Sequence, residues 1–336
     1  MSFIVRAAHR DDLQHLYELA RQFTLLNLPA ERRTIETKLE RSRSSFAGEL
    51  GKAEAEYLFV VEDVEAEMVV GSSLILAKNG TPSSPNFSFQ VLKKERFSRE
   101  LGIGFIHQIL RLRANTDGPT EVGGLVVDRA YRRRPEKVGR LISLSRFLYI
   151  GMEPDRFEAD LHSELAPPLT DEGRSEFWEA LGRRFTGMPY QEADQISSQN
   201  NGFIQSLFPE EDIYLALLDS KARLVLGRVG EETHAALHLL NRIGFQYKEE
   251  VDPFDGGPHL GCSRKECSVV KNMSRHRLKM AEGEFERLGL VGLIRDEGYL
   301  GCASPFRVED GEIVLPEKSW RLLELDEGEE LSLSPL

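Results

Sequence analysis

Apolar positions along this chain follow two periodicities, one near 3.6 residues and one of two, and both are visible close to its start. Ile4-Val5-Arg6 reads as a short strand, and Asp11 to Phe23 as an amphipathic helix with Leu13, Leu16, Leu19 and Ala20 on one side. Leu28-Pro29 ends a loop, after which Arg33 to Leu50 is expected to be a polar, arginine-rich helix. Tyr57-Leu58-Phe59-Val60-Val61 and Met68 to Ala77 read as the two strands of a hairpin, joined through an acidic turn around Asp63. Phe87 to Val91 is a further strand, and Gly102 to Leu112 a further short helix.

The most telling junction follows. Glu121-Val122-Gly123-Gly124-Leu125-Val126-Val127 reads as a buried strand whose two glycines let a backbone or a ligand come close. It runs through Arg132-Arg133-Arg134-Pro135-Glu136-Lys137 into a helix on which Val138, Leu141, Ile142, Phe147 and Leu148 recur, while Glu136, Arg140 and Arg146 mostly fill the other face. A helix whose first turn carries a glycine, here Gly139, and offers backbone N–H groups behind a run of arginines suits a phosphate. Coenzyme pyrophosphate is the natural guest, with a solvated basic loop as the plainer alternative.

Farther along, Arg156 to Glu164 reads as a strand, Arg174 to Phe185 and Gln191 to Leu207 as helices, and Leu224 to Val229 as a strand. The helix around Ala236 to Ile243 ends at Gly244, a residue able to take the left-handed C′ conformation, and turns directly into the strand Phe245-Gln246-Tyr247. Beyond Cys267 the expectation is a charged helix from Ser274 to Leu288, then short strands at 298–303, 306–308 and 312–315. The alternating tail from Leu323 to Leu333 reads as an edge strand.

Composition narrows the class. With 336 residues and 40% hydrophobic content the chain can fill two packed lobes, or one domain with extensions. We expect an N-terminal lobe over 1–165, a helical insertion and second lobe over 166–265, and a C-terminal helix with a β extension over 266–336. No run of about 18 apolar residues occurs, and Met1-Ser2-Phe3-Ile4-Val5-Arg6 does not read as a signal peptide, so a cytoplasmic protein without a membrane partner is expected. A net charge of -12 argues against nucleic acid as a partner and leaves the 132–140 cluster suited to a small polyanion. Cys262, Cys267 and Cys302 form neither an even set nor a CxxC pair, and zinc would need a further ligand from His259 or His276, so no metal is expected.

The segment from Ala236 to Phe245 resembles the late helix-strand motif of the acyl-CoA N-acyltransferase (GNAT) superfamily, and Arg134-Pro135-Glu136-Lys137-Val138-Gly139 stands where that superfamily has R/Q-x-x-G-x-G/A. The second glycine is kept and the first is lysine. Longer blocks resemble the arginine N-succinyltransferase family: Tyr57 to Asp63, Glu121 to Asp128 with Arg132, Ser143-Leu144-Ser145-Arg146-Phe147, Phe177-Trp178-Glu179-Ala180-Leu181-Gly182-Arg183-Arg184-Phe185, Val225-Leu226-Gly227 and Phe254-Asp255-Gly256-Gly257-Pro258. The resemblance implies an α/β GNAT-like fold with a mixed, mostly antiparallel sheet flanked by helices. It also implies transfer of succinyl from succinyl-CoA, a co-substrate and not a tightly bound cofactor, to the α-amino group of arginine or an analogue. A homo-oligomer, or a hetero-oligomer with a paralogue, is expected.

Carried over residue by residue, the coenzyme site comprises Leu125, Val126, Val127, Arg132, Arg134, Lys137, Val138, Gly139 and Arg140. The family's proton-donating histidine does not carry over, because Val229-Gly230-Glu231-Glu232-Thr233-His234-Ala235-Ala236 has Gly230 at that position. His234, one helical turn downstream, is the candidate donor to the leaving thiolate. Glu231 and Glu232 read first as helix-dipole partners. Arg146, Arg183 and Asp255 are weaker candidates for substrate contact, Asp-Gly-Gly being foremost a turn signal. Two further readings stay open: a different amine acceptor, and a coenzyme-binding subunit without activity of its own.

Overall fold

A computed structural model describes residues 2–22, 28–197, 202–296 and 298–336. Its two compact units interleave along the sequence and do not follow it in consecutive blocks. The first combines 1–78, 120–161 and 263–336; the second combines 79–119 and 162–262.

In the first unit the strand Phe3–Ala7 alternates buried and half-buried positions and pairs antiparallel with Glu56–Asp63. Glu56–Asp63 pairs in turn with Met68–Leu76, and that strand with Thr120–Val127. The helices Leu13–Ala20 and Arg32–Phe46 cover one face, their Leu16, Ala20, Ile35 and Leu39 packing on Leu58, Val60 and Leu74. The first helix ends earlier than its periodicity suggests, and Phe23 lies outside the described residues. Val138–Met152 is buried on nearly every side, which is why its apolar positions exceed a single stripe.

The C-terminal part of this unit departs most from expectation. Ser274–Lys279 and Arg287–Arg295 are strands, not one charged helix. Gly298–Glu309 is a single strand, and the tail folds as the helix Glu317–Leu322 followed by the strand Glu330–Pro335. That last strand is no edge: Arg287–Arg295 flanks it on one side and Ser274–Lys279 on the other. Because Arg287–Arg295 also pairs with Gly298–Glu309, and Glu312–Val314 joins Gly298–Glu309 to Ser274–Lys279, the five C-terminal strands close into a ring around Val291, Phe306, Ile313, Leu325, Leu331 and Leu333. Closure supplies the partners that an alternating, charged sequence lacks in isolation.

In the second unit the strands Asn86–Ser98 and Ile103–Asn115 form one long hairpin, in register from Asn86 opposite Asn115 to Ser98 opposite Ile103. The expected helix at 102–112 is therefore a strand. Its apolar residues mix spacings, and cross-strand pairing overrides the helical pattern. The Leu224–Val229 strand is also corrected: Ser220–Val225 is helical, and Gly227 turns the chain with φ +66°.

The blocks most specific to the resembled family make up this unit's core. Trp178 stacks on Phe254 with centroids 5.2 Å apart and donates Nε1–H to the Met188 carbonyl at 2.9 Å. A Cβ on Gly182 would sit 2.2 Å from the Trp178 ring, and one on Gly257 would sit 2.3 Å from the Leu165 carbonyl oxygen. These glycines are set by close packing, not by chemistry.

Candidate functional site

In the first unit, Thr120–Val127 does not run evenly against Met68–Leu76. Val126 faces Ser72 and Gly123 faces Leu74, so Gly124 and Leu125 occupy a register break opposite Ser73, with Gly124 at φ +56°. This bulge bends the strand and takes its backbone groups out of the ladder. The side chains of Val126 and Val127 point into the core, so only their backbone can meet a ligand, while Leu125 is half-buried.

Arg146 holds the break open. It is 3% exposed, and its Nη1 donates to the carbonyls of Gly123 at 2.9 Å and Leu74 at 3.4 Å. Nε donates to the Ser143 carbonyl and Nη2 to Ser143 Oγ. Burial pushes its pKa down to about 9, so it is charged at neutral pH, with backbone carbonyls in place of a carboxylate. The sequence put this residue on a polar helix face. Instead it braces the strand from inside.

Past Val127 the chain is fixed before it reaches the helix. Asp128 accepts from the Ala130 amide at 2.7 Å, and Tyr131 donates its hydroxyl to Asp63 at 3.1 Å. Arg132 Nε donates to the Val127 carbonyl at 3.0 Å, and Arg134 Nε to that of Ala130 at 2.9 Å, with the Arg134 guanidinium 4.0 Å from the Tyr131 ring centroid. A guanidinium has five N–H donors, so these bonds are compatible with phosphate contacts through the Nη pair.

Lys137 is the helix N-cap, left-handed at φ 52° and ψ 47°, and gives the helix no side-chain cap. The amides of Val138 and Gly139 are thus available to an anion, while those of Arg140 and Leu141 donate to the Lys137 carbonyl. Gly139 is half-buried, and a Cβ there would meet only Val127 Cγ2 at 3.6 Å. Val138 is core, and Arg140 is half-buried on the first turn. The structure thus brings together the whole predicted coenzyme set on one strand end and one helix start.

The residues proposed for proton transfer belong to the second unit. His234 begins the helix His234–Arg242 and is exposed, with the His238 ring 6.5 Å away. Gly230 donates its amide to the Ala166 carbonyl at 2.9 Å, and a Cβ there would meet the Pro167 carbonyl oxygen at 2.9 Å. The backbone has closed on the position that holds histidine in the resembled family, leaving no space for a side chain. Arg183 is a solvated partner of Glu179 at 2.7 Å. Asp255 accepts from the Gly257 amide at 2.7 Å, as a turn residue does.

Carboxyls gather in this unit. Burial raises Asp194 to about 7; burial, opposed by the Gly257 amide and reinforced by Glu164 and Asp194, raises Asp255 to about 7 as well. Asp252 is raised by burial and then by Asp255. This convergence escaped the sequence reading because its members lie on separate elements.

A bulged strand feeding a basic turn and an uncapped helix, within a mixed, mostly antiparallel sheet, defines the GNAT class of acyltransferases. Residues 3–269 match the family described as Arginine N-succinyltransferase beta subunit. An arginine N-succinyltransferase of Photorhabdus laumondii is 29% identical over 99% of this chain and 98% of its own, and one of Yersinia enterocolitica is 32% identical over 88% and 86%. The solved structure of arginine/ornithine succinyltransferase subunit AI from Pseudomonas aeruginosa matches with a TM-score of 0.88 at 26% identity, covering 99% of this chain and 98% of that one. The chain belongs to the arginine N-succinyltransferase family, whose members use an acyl-CoA co-substrate. Among the described residues no helix is long and apolar enough to cross a membrane.

Lys137 holds by strain the conformation that glycine holds freely. Lys137→Gly is expected to stabilise the protein by about 1 kcal/mol in urea unfolding, the left-handed cost outweighing the added unfolded-state entropy. A loss of stability would show that the lysine side chain contributes more than its backbone costs.

Proposed function

We propose that this protein transfers succinyl from succinyl-CoA to the α-amino group of arginine or a close analogue, as a step in arginine breakdown. The observation that carries this reading is the preorganised 128–140 turn ahead of an uncapped helix, in a chain of this family. Leu125, Val126 and Val127 would offer backbone groups to the pantetheine arm. Arg132, Arg134, Lys137, the amides of Val138 and Gly139 and the Arg140 side chain would take the pyrophosphate.

The uncharged amine attacks the thioester carbonyl, the C–N bond forms, the nitrogen gives up a proton to solvent, and the C–S bond breaks with the electron pair leaving on sulfur. Holding amine and carbonyl in line supplies much of the acceleration. A backbone amide polarising the carbonyl supplies more. His234 would protonate the departing thiolate. Beyond burial, Glu164 raises the proton affinity of both Asp252 and Asp255, Asp255 adds to it at Asp252 and Asp194 at Asp255, which is the electrostatics of a surface that favours a cation such as a guanidinium or ammonium. The buried cysteines form no disulfide, consistent with a reducing, cytoplasmic setting.

One observation favours a second reading. The closure of backbone over Gly230 removes the space for the family's donor, as suits a coenzyme-binding subunit that works beside an active paralogue. Incubation with succinyl-CoA and arginine, with thiol release followed by a chromogenic reagent, separates the two readings.

Assembly would use the long hairpin. Beyond its pairing at Phe89 and Gln90 on one side, and Ile109 and Leu110 on the other, it has no further strand neighbour among the described residues. It also exposes Phe97, Leu101, Phe105 and Ile106, the last two at 61% and 66%. A bare hairpin is marginal in water. Its Glu95, Arg96, Arg99 and Glu100 mix both signs, as suits a second copy.

Gly139→Asp is expected to weaken succinyl-CoA binding at least about tenfold by calorimetry, since the side chain fits beside Val127 but repels phosphate. Unchanged affinity would remove the coenzyme from this turn. His234→Ala should lower kcat about tenfold, roughly 1.4 kcal/mol of barrier, and leave KM unchanged; an unaltered rate would assign catalysis to positioning alone. Phe105→Lys with Ile106→Lys should convert an oligomer to monomer in sedimentation, and an oligomer that persists would move the contact elsewhere.

A further inference from the structure

The strands Asp160–Glu164 and Pro258–Ser263 are neighbours in the sheet, and they bring His162, Glu164 and His259 together. One donor atom from each lies within 4.8 Å of the other two. Nε2 of His162 is 3.2 Å from Oε1 of Glu164, and Nε2 of His259 is 3.5 Å from the same oxygen. Ligands of a tetrahedral zinc ion, at about 2.0–2.1 Å from the metal, stand about 3.3 Å from one another. The carboxylate oxygen is therefore already at ligand spacing from both nitrogens.

His259 supplies an independent reason. It is 1% exposed, and its Nε2 has no hydrogen-bond partner among the described residues. Burying a polar nitrogen without a partner is costly, and native proteins rarely leave one so. Glu164 is the shared neighbour of both imidazoles. Its side chain is 31% exposed, which gives an ion access from solvent.

Neighbouring groups fit the same picture. Two residues past Glu164, the Ala166 carbonyl accepts from the Gly230 amide and the Thr233 hydroxyl, which fixes the end of the strand that carries two of the three donors. His162 and Glu164 stand two apart on a strand and so share a face.

We propose that His162, Glu164 and His259 form a binding site for a divalent transition metal of the zinc type, with a coordination position left for water. Two imidazoles and one carboxylate are a donor set found where such ions keep an open position. The site draws on none of the cysteines.

The test uses the full chain, stripped with a chelator and titrated with Zn²⁺ against a chromophoric competitor. About one tight equivalent per chain is expected, with affinity reduced at least about tenfold in Glu164→Gln and in His259→Ala. Co²⁺ should give visible absorption bands in the wild type that disappear in His259→Ala. His276→Ala, a histidine of the other unit, should change neither. Failure of the wild-type chain to outcompete the chromophore would overturn the proposal, whatever the variants do. So would a cobalt spectrum indifferent to His259 in a variant whose circular dichroism matches the wild type.

Discussion

The buried cation Arg146 organises the bulged strand and the helix start of the first unit. Opening a strand so that its backbone can meet a ligand strands carbonyl groups inside the fold, and an unpaired buried carbonyl is expensive. Arg146 resolves that conflict by giving its donors to Gly123, Leu74 and Ser143. A hydrophobic residue there could fill the volume but not satisfy the carbonyls. A lysine could not spread its donors in the same fork. The bulge at Gly124-Leu125 persists because its underside is paid for, and the helix that supplies Arg146 is the same one whose start is proposed to hold the phosphate.

That coupling explains why strand, turn and helix form one device. Asp128, Tyr131, Arg132 and Arg134 are each tied to backbone, carboxylate or ring before any ligand arrives, so little conformational freedom remains to be lost on binding. Lys137 is the point of strain: a left-handed residue with a side chain, at the place where glycine would cost nothing. The other end of the chemistry is less conventional. Gly230 sits so close to the Pro167 carbonyl that a side chain in place of its hydrogen would require the backbone to shift.

Much of this was legible in the sequence, for physical reasons. The glycine pair before Leu125, the arginines and the glycine in the first helical turn are local signals, and the structure joins them locally. The blocks around Trp178 and Phe254 also identified the family, although their meaning is packing: Gly182 passes under the indole, and Gly257 passes the Leu165 carbonyl. Failures came where partners distant in sequence decide the outcome. The hairpin strand at 103–115 and the C-terminal ring took their conformation from cross-strand neighbours that no local period reveals. Arg146 looked solvated because a charged residue on a helix usually is. His162, Glu164 and His259 could be joined only by the sheet, although the spacing of the first two already placed them on one strand face.

The central claim is that coenzyme is gripped by the bulged strand end together with the helix start. Amide hydrogen exchange, followed with and without succinyl-CoA, tests this most directly. Protection should rise at residues 124–127 and 137–141 and be small over the C-terminal strands of the same unit. If those two segments exchanged equally fast in both states while binding was demonstrably saturated, the account of where this protein holds its donor would be contradicted.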